Sequence, residues 1–395
     1  MRSSAAPGPW LRLTALAAAA ATLVAVVSGT VGPGTAHSLL SALALPPLVA
    51  VALAAWLAYR QLLPSALVAL GLFGIAAAVT VPGLHAALAA LALAAAAVSC
   101  AVAFRGEAVR SGPWRDYVTL TKPRIMSLLL VTGAAGSFVG AQGVPPLGRF
   151  AAAMVGLALA CGGASALNHV LDRDIDRLMG KRTEKRPVAA GRVSPARGLE
   201  FGLALSALSF VLLASTVNVL TATLALVGNL FYVLVYTRWL KRATAQNIVI
   251  GGAAGAVPPL VGYAAATGDL GLPALWLFLI VFLWTPPHFW ALALLIKENY
   301  AAAAVPMLPV VRGDRETTRQ ILLYSVVMVA FTLAVGISLG LVYSVAAAVL
   351  GGAFLWLAVQ LRRDPTRRRA GFLFHYSLAY LALLFVAAAI DPVLL

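Results

Sequence analysis

Three oxygen-bearing side chains, Asn168, Asp172 and Asp176, recur at every fourth position in the stretch 168–187, NHVLDRDIDRLMGKRTEKRP. On a helix this spacing puts all three on one face, about a turn apart. Hard oxygen ligands in a row suit Mg²⁺, which keeps several waters and is shared with substrate phosphates. Lys181, Arg182, Lys185 and Arg186 follow at once, and cations beside such an ion suit a diphosphate. The row stands where the apolar run 150–167 ends. A solvated, charge-rich loop is the competing reading, but Asn-Asp-Asp in register at the end of a membrane span is costly without a use.

The elements that must position these residues follow from composition. Of 395 residues, 62% are hydrophobic and only 11% charged, which excludes an ordinary soluble domain and implies an all-α polytopic membrane protein. The net charge of +16 sits mostly in short loops between apolar runs. That is the positive-inside pattern and not a nucleic-acid surface. Cys100 and Cys161 both lie in apolar runs without a CxxC partner, so neither a structural disulfide nor a thiolate metal site is expected. About thirteen spans are predicted. Four fall in residues 1–104, near 11–31, 38–59, 62–81 and 84–104. A basic connector occupies 105–115. Nine fall in 116–395, near 125–142, 149–170, 198–216, 218–237, 246–266, 273–295, 320–341, 343–361 and 371–390. Thirteen spans put the cation-rich stretches 105–124, 173–197, 238–242, 297–319 and 362–369 on one side, with a cytoplasmic N-terminus, an outer C-terminus and a cytoplasmic site.

Further motifs lie along the second domain. Tyr117 opens YVTLTKPR, which holds Lys122. Tyr236 opens YTRWLKR, expected as a cationic turn on the cytoplasmic side, whose Lys241 and Arg242 would also reach a diphosphate held between two acidic loops. Small residues in 247–259 suit close helix packing. Trp284 to Trp290 read WTPPHFW. A histidine in an apolar span is expensive unless partnered, prolines there are expected to break the helix, and the aromatics suit a flat acceptor. His288 and Glu298 are ten positions apart, about 15 Å along a helix, so they do not share one ion.

Together these stretches resemble the UbiA-type intramembrane prenyltransferases. LTKPR, DRDIDRLM, RTEKRP, the 247–259 segment and PPHFW resemble the heme O synthase branch, over about residues 116–391. The resemblance implies a nine-helix bundle in the lipid bilayer. Farnesyl diphosphate would be the donor and protoheme IX (heme B) the acceptor, a substrate and not a cofactor, with Mg²⁺ as cofactor. Asn168, Asp172 and Asp176 would bind the magnesium diphosphate. Lys122, Arg182, Lys185, Arg186, Lys241 and Arg242 would screen it. His288 and Trp290 would stand on the acceptor side. The family's second acidic motif has an Asp just before the Tyr at 300. Here that residue is Asn299, so either Glu298 supplies the carboxylate or a second metal is held less tightly. Heme A synthase and cytochrome oxidase assembly factors are the implied partners.

Residues 1–104 lie outside that resemblance. The segments around His37 and His85 resemble one half of heme A synthase, in which a facing histidine pair would ligate heme. Two histidines at helix ends beside water are the competing reading, and no oxidase activity is expected of this half alone. For the chain as a whole, two other readings stay open: a UbiA-type enzyme for a different aromatic or tetrapyrrole acceptor, and a non-catalytic transporter or scaffold.

Overall fold

A computed structural model of the chain describes residues 14–22, 48, 69, 113–180 and 183–394. Residues 14–22 are helical. The rest of the four expected N-terminal spans, the 105–112 part of the connector, His37, His85 and Arg182 lie outside the described residues.

The described part is helical, with no strand among the described residues. In chain order it comprises α1 (Trp114–Leu120), α2 (Pro123–Ala141), α3 (Leu147–Leu171), α4 (Arg173–Leu178), α5 (Pro195–Thr216), α6 (Val219–Ala243), α7 (Asn247–Thr267), α8 (Leu272–Leu295), α9 (Lys297–Ala302), α10 (Leu308–Leu339), α11 (Leu341–Arg363) and α12 (Arg367–Leu394). Nine of these helices are long and apolar enough to cross a membrane, close to the nine predicted.

Local chemistry sets their ends. Ser194 caps α5 by accepting from Arg197 N, and Asn218 caps α6 by accepting from Thr221 N at 2.7 Å. Each satisfies a first-turn N–H that has no helical partner. Gly268, at φ 79°, closes α7 in the left-handed region that glycine enters freely.

Three boundaries differ from expectation. The cationic segment 238–242 is not a turn, because α6 continues through it as a π-helical stretch, Phe231–Leu240. The span expected from 320 begins at Leu308, with a kink at Gly313 (φ 76°). Pro286 and Pro287 do not break α8. Each proline costs the helix one hydrogen bond, but both are buried among packed neighbours, and packing carries a helix through such a loss.

Helix α7 is the centre of the first half and packs closely on α2. Ser137 Oγ donates to Gly262 O at 3.0 Å across this contact. The second half, α8 with α10–α12, shares one core that includes Ile280, Trp290, Met328, Tyr343, Phe354 and Tyr380.

Candidate functional site

The acidic row forms because α3 does not stop at its last apolar turn. Asp172 is a bend (φ −90°, ψ 5°) between α3 and α4. The i→i−4 hydrogen bonds nonetheless run through it, Asp172 N to Asn168 O and Asp176 N to Asp172 O, both 2.8 Å. Asn168, Asp172 and Asp176 therefore keep one face, and all three are buried.

Each meets a cation from a different element. Lys122 Nζ donates to Asn168 Oδ1 at 2.8 Å. Lys241 Nζ donates to Asp172 Oδ2 at 2.5 Å. Arg186 donates to Asp176 Oδ1 at 2.6 Å. Asn168 Nδ2 bridges to Asp172 Oδ2 and to Thr237 Oγ1, at 2.8 and 3.1 Å. The π-helical stretch of α6 spaces Thr237 and Lys241 to reach this row, and such stretches recur at functional sites. Lys122 itself holds a left-handed backbone (φ 49°, ψ 61°) at the start of α2, a conformation that costs of order 1 kcal/mol and persists where surroundings enforce it.

The carboxylates are only half satisfied. Asp172 Oδ1 and Asp176 Oδ2 are sealed from solvent without a hydrogen-bond partner, and a buried acceptor left bare costs about 1–3 kcal/mol. Burial raises the pKa of Asp176 against the lowering effect of Arg186. Burial also lowers that of Lys122 to about 7, helped by repulsion from Arg186 and opposed by Asp172. Among the described residues no three His, Cys, Asp or Glu side chains converge as a metal cage. Two bare hard oxygens fit an ion that takes its other ligands from waters and phosphates, which is the habit of Mg²⁺.

The other expected residues fall elsewhere. Arg242 is drawn off by Asp174, with two contacts of 2.7 Å, and this pairing holds the Asp174 carboxyl below its usual range. Lys185 is exposed. Glu298 is exposed as well, while its neighbour Asn299 donates from Nδ2 to Met179 O beside the acidic helix. An ionised Asp at 299 has no proton for that bond. His288 is buried on α8, stacked between Trp284 and Phe374. Trp290 does not join it. Two positions on, it faces another way and packs edge-on to Tyr324 in the core. Phe289 instead shares an apolar cluster with Ile175, Met179, Ile248, Tyr236 and Tyr300, which sets the His288 segment against the acidic helix.

Sequence reasoning missed Thr237, His169, Ser377 and the pair Asp116–Arg192. Arg192 binds the Asp116 carboxylate through Nε and a terminal nitrogen, both 2.9 Å, and the Lys185 carbonyl at 3.0 Å. It thus ties α1 to the loop that presents Arg186. Two charges of opposite sign 76 positions apart carry no pattern a sequence reader can use.

Membrane-length helices around a sealed acidic row with three cations define an intramembrane enzyme of the prenyltransferase class. The chain belongs to the UbiA prenyltransferase family, whose model matches residues 129–384. It is 55% identical over 281 residues to a curated protein from Symbiobacterium thermophilum called protoheme IX farnesyltransferase, covering 70% of this chain and 94% of that one. A Synechocystis protein of the same name is 52% identical over 281 residues, covering 70% of this chain and 89% of its own. A third, from Thermus thermophilus, is 52% identical over 292 residues, but the chain spans only 48% of its length. Among solved structures, one described as digeranylgeranylglyceryl phosphate synthase in membranes aligns with TM-score 0.60 and 18% identity, over 71% of this chain and 99% of that one. A UbiA homologue from Archaeoglobus fulgidus bound to GPP and Mg²⁺ aligns with TM-score 0.54 and 16% identity, over 69% and 99%. These two likenesses establish the shared fold.

Proposed function

We propose that this chain transfers the farnesyl group of farnesyl diphosphate to a vinyl group of protoheme IX, with addition of water, giving heme O. The observation that carries this reading is the 55% identity to a protoheme IX farnesyltransferase over nearly all of that enzyme's length. Asp172 and Asp176, each with one bare oxygen, are the metal-holding residues, with Asn168 oriented beside them. Mg²⁺, when bound, neutralises diphosphate charge and so makes it a competent leaving group. Lys122, Arg186 and Lys241 surround the same face and stabilise the charge that grows as the C1–O bond breaks. Diphosphate departs with the electron pair. The vinyl π pair forms the new carbon–carbon bond to C1, water adds to the resulting cation beside the porphyrin, and one proton is released. The apolar wall of Tyr236, Phe289 and Tyr300 keeps premature water from the allylic cation.

The site is on the cytoplasmic side in this reading, with the C-terminus outside. Supporting it, the cations gather at alternate ends of the spans, in 172–194, 238–246, 296–319 and 362–369, whether in a connection or in the helix ends beside it, against 142–146, 217–218, 268–271 and 340. Residues 116–395 form the prenyltransferase domain, 105–115 a basic connector and 1–104 a separate membrane domain with His37 and His85.

Membranes holding the protein, supplied with protoheme, farnesyl diphosphate and Mg²⁺, test the reading by mass spectrometry. The expected product is a heme that has gained one farnesyl group and one hydroxyl, and its formation stops with EDTA. Release of farnesol with no modified heme would sink the acceptor assignment and leave the diphosphate site standing.

A further inference from the structure

Helix α8 carries a buried histidine whose proton the surroundings assign. His288 Nδ1 lies 2.6 Å from Ser377 Oγ on α12. The same hydroxyl lies 2.7 Å from Phe374 O. A serine hydroxyl has one proton, and a carbonyl has none. If Ser377 gave that proton to Nδ1, its oxygen and the Phe374 carbonyl would face each other as two acceptors with nothing between them. If Nδ1–H donates to Ser377 and Ser377 donates to Phe374 O, every contact is satisfied. Only the second arrangement leaves no repulsive pair. It places the imidazole's free lone pair on Nε2.

The ring is also fixed in angle. Trp284 stacks on it at 4.3 Å and 17°, and Phe374 stacks at 4.9 Å and 23°. Trp284 is anchored in turn, its Nε1 donating to the Ser377 carbonyl at 2.8 Å. Ser377 therefore orients the histidine through its side chain and the covering tryptophan through its backbone. Nε2 makes no hydrogen bond, and it is absent from the sealed, partnerless nitrogens among the described residues, which include both of His169. A neutral imidazole with a bare Nε2 offers the lone pair that a metal takes, and metal-bound histidines are held by a hydrogen bond at the other nitrogen. A propionate would instead require an N–H at that edge.

We propose that Ser377 is a positioning residue that locks the Nδ1–H tautomer of His288, so that Nε2 ligates the iron of the porphyrin substrate. This rests on the proposed acceptor being a heme.

The test uses the full chain in detergent with ferric protoheme and no farnesyl diphosphate. Ser377→Ala removes the acceptor for Nδ1–H but keeps the backbone carbonyl under Trp284. It should weaken heme binding by about tenfold, the scale of losing a ligand's outer partner, and shift the Soret band. In turnover the KM for heme should rise while that for farnesyl diphosphate stays. Ser377→Thr, which keeps the hydroxyl, should restore the spectrum. His288→Gly should lose the ligated spectrum and regain it with added imidazole. In ¹⁵N-histidine-labelled protein, the resonances lost in His288→Gln should report a protonated Nδ1. An unprotonated Nδ1 there, a Ser377→Ala spectrum like that of wild type, or no imidazole rescue would overturn the proposal while leaving farnesyl transfer to heme intact. A wild type that binds no heme at all would overturn the acceptor reading and this proposal together.

Discussion

Asp172 keeps one oxygen on Lys241 and the other sealed and bare. That asymmetry supports the proposed metal-holding role, since a purely structural ion pair would have both oxygens satisfied. Asp172→Asn and Asp176→Asn keep shape and an acceptor but lose the charge. Each should cut farnesyl transfer by more than about 100-fold, the scale of losing a preorganised charge at a reacting centre, with thermal stability preserved. Turnover within a few-fold of wild type would remove that residue from the site. Lys122 gives a pH signature. Its folded pKa, lowered to about 7 chiefly by burial, is below its unfolded value of about 10.4. Between these values the unfolded chain binds the extra proton, so stability rises with pH. Metal-free protein should melt a few degrees higher at pH 9 than at pH 7, and Lys122→Met should abolish that rise.

At the scale of the helix, α2 and α7 approach each other backbone to backbone. A Cβ at Gly262 would lie 1.8 Å from Gly133 O, and one at Gly136 would lie 2.2 Å from Pro259 O. These clashes are with backbone, which cannot swing aside. Gly262→Ala should destabilise by more than about 3 kcal/mol, beyond ordinary overpacking, read as a lower melting temperature and poor yield. Gly255, on the same helix, has nothing within 4 Å of an added Cβ. Gly255→Ala should melt at or slightly above the wild-type temperature, because alanine suits a helix interior better than glycine by roughly 0.5–1 kcal/mol. Equal damage from both changes would show that helix propensity, and not close approach, governs this pair. The π-helical stretch in α6 belongs to this scale too. The apolar run alone ends near 237, and the helix persists to Ala243 while Lys241 binds Asp172 at the α3–α4 bend and Arg242 binds Asp174 on α4.

For the molecule as a whole, 94% of the Symbiobacterium relative is matched by 70% of this chain. The family model lies within residues 129–384. A chain beginning at residue 105 should therefore insert in membranes and keep turnover within about twofold, as a domain with its own core does. A loss of activity with correct insertion would give residues 1–104 a part in the reaction. Much of this architecture was legible beforehand. Nine apolar runs, the alternation of cation-rich connections and the Asn168-Asp172-Asp176 row are all periodicities, and a period is a property of neighbouring residues. Identities between partners are not. Lys241 reaches Asp172 across 69 positions, and His288 reaches Ser377 across 89. Arg242, equally cationic and adjacent in sequence to Lys241, goes to Asp174. Trp290, in the same motif as His288, turns into the core. The chain's composition and spacing dictated helices, their number in this region and the face that carries the acids, because these depend on local turns and on the solvent each run prefers. Helix packing chose which cation meets which carboxylate, which oxygens stay bare and which histidine nitrogen is free, because those choices rest on distances between segments that no local pattern encodes.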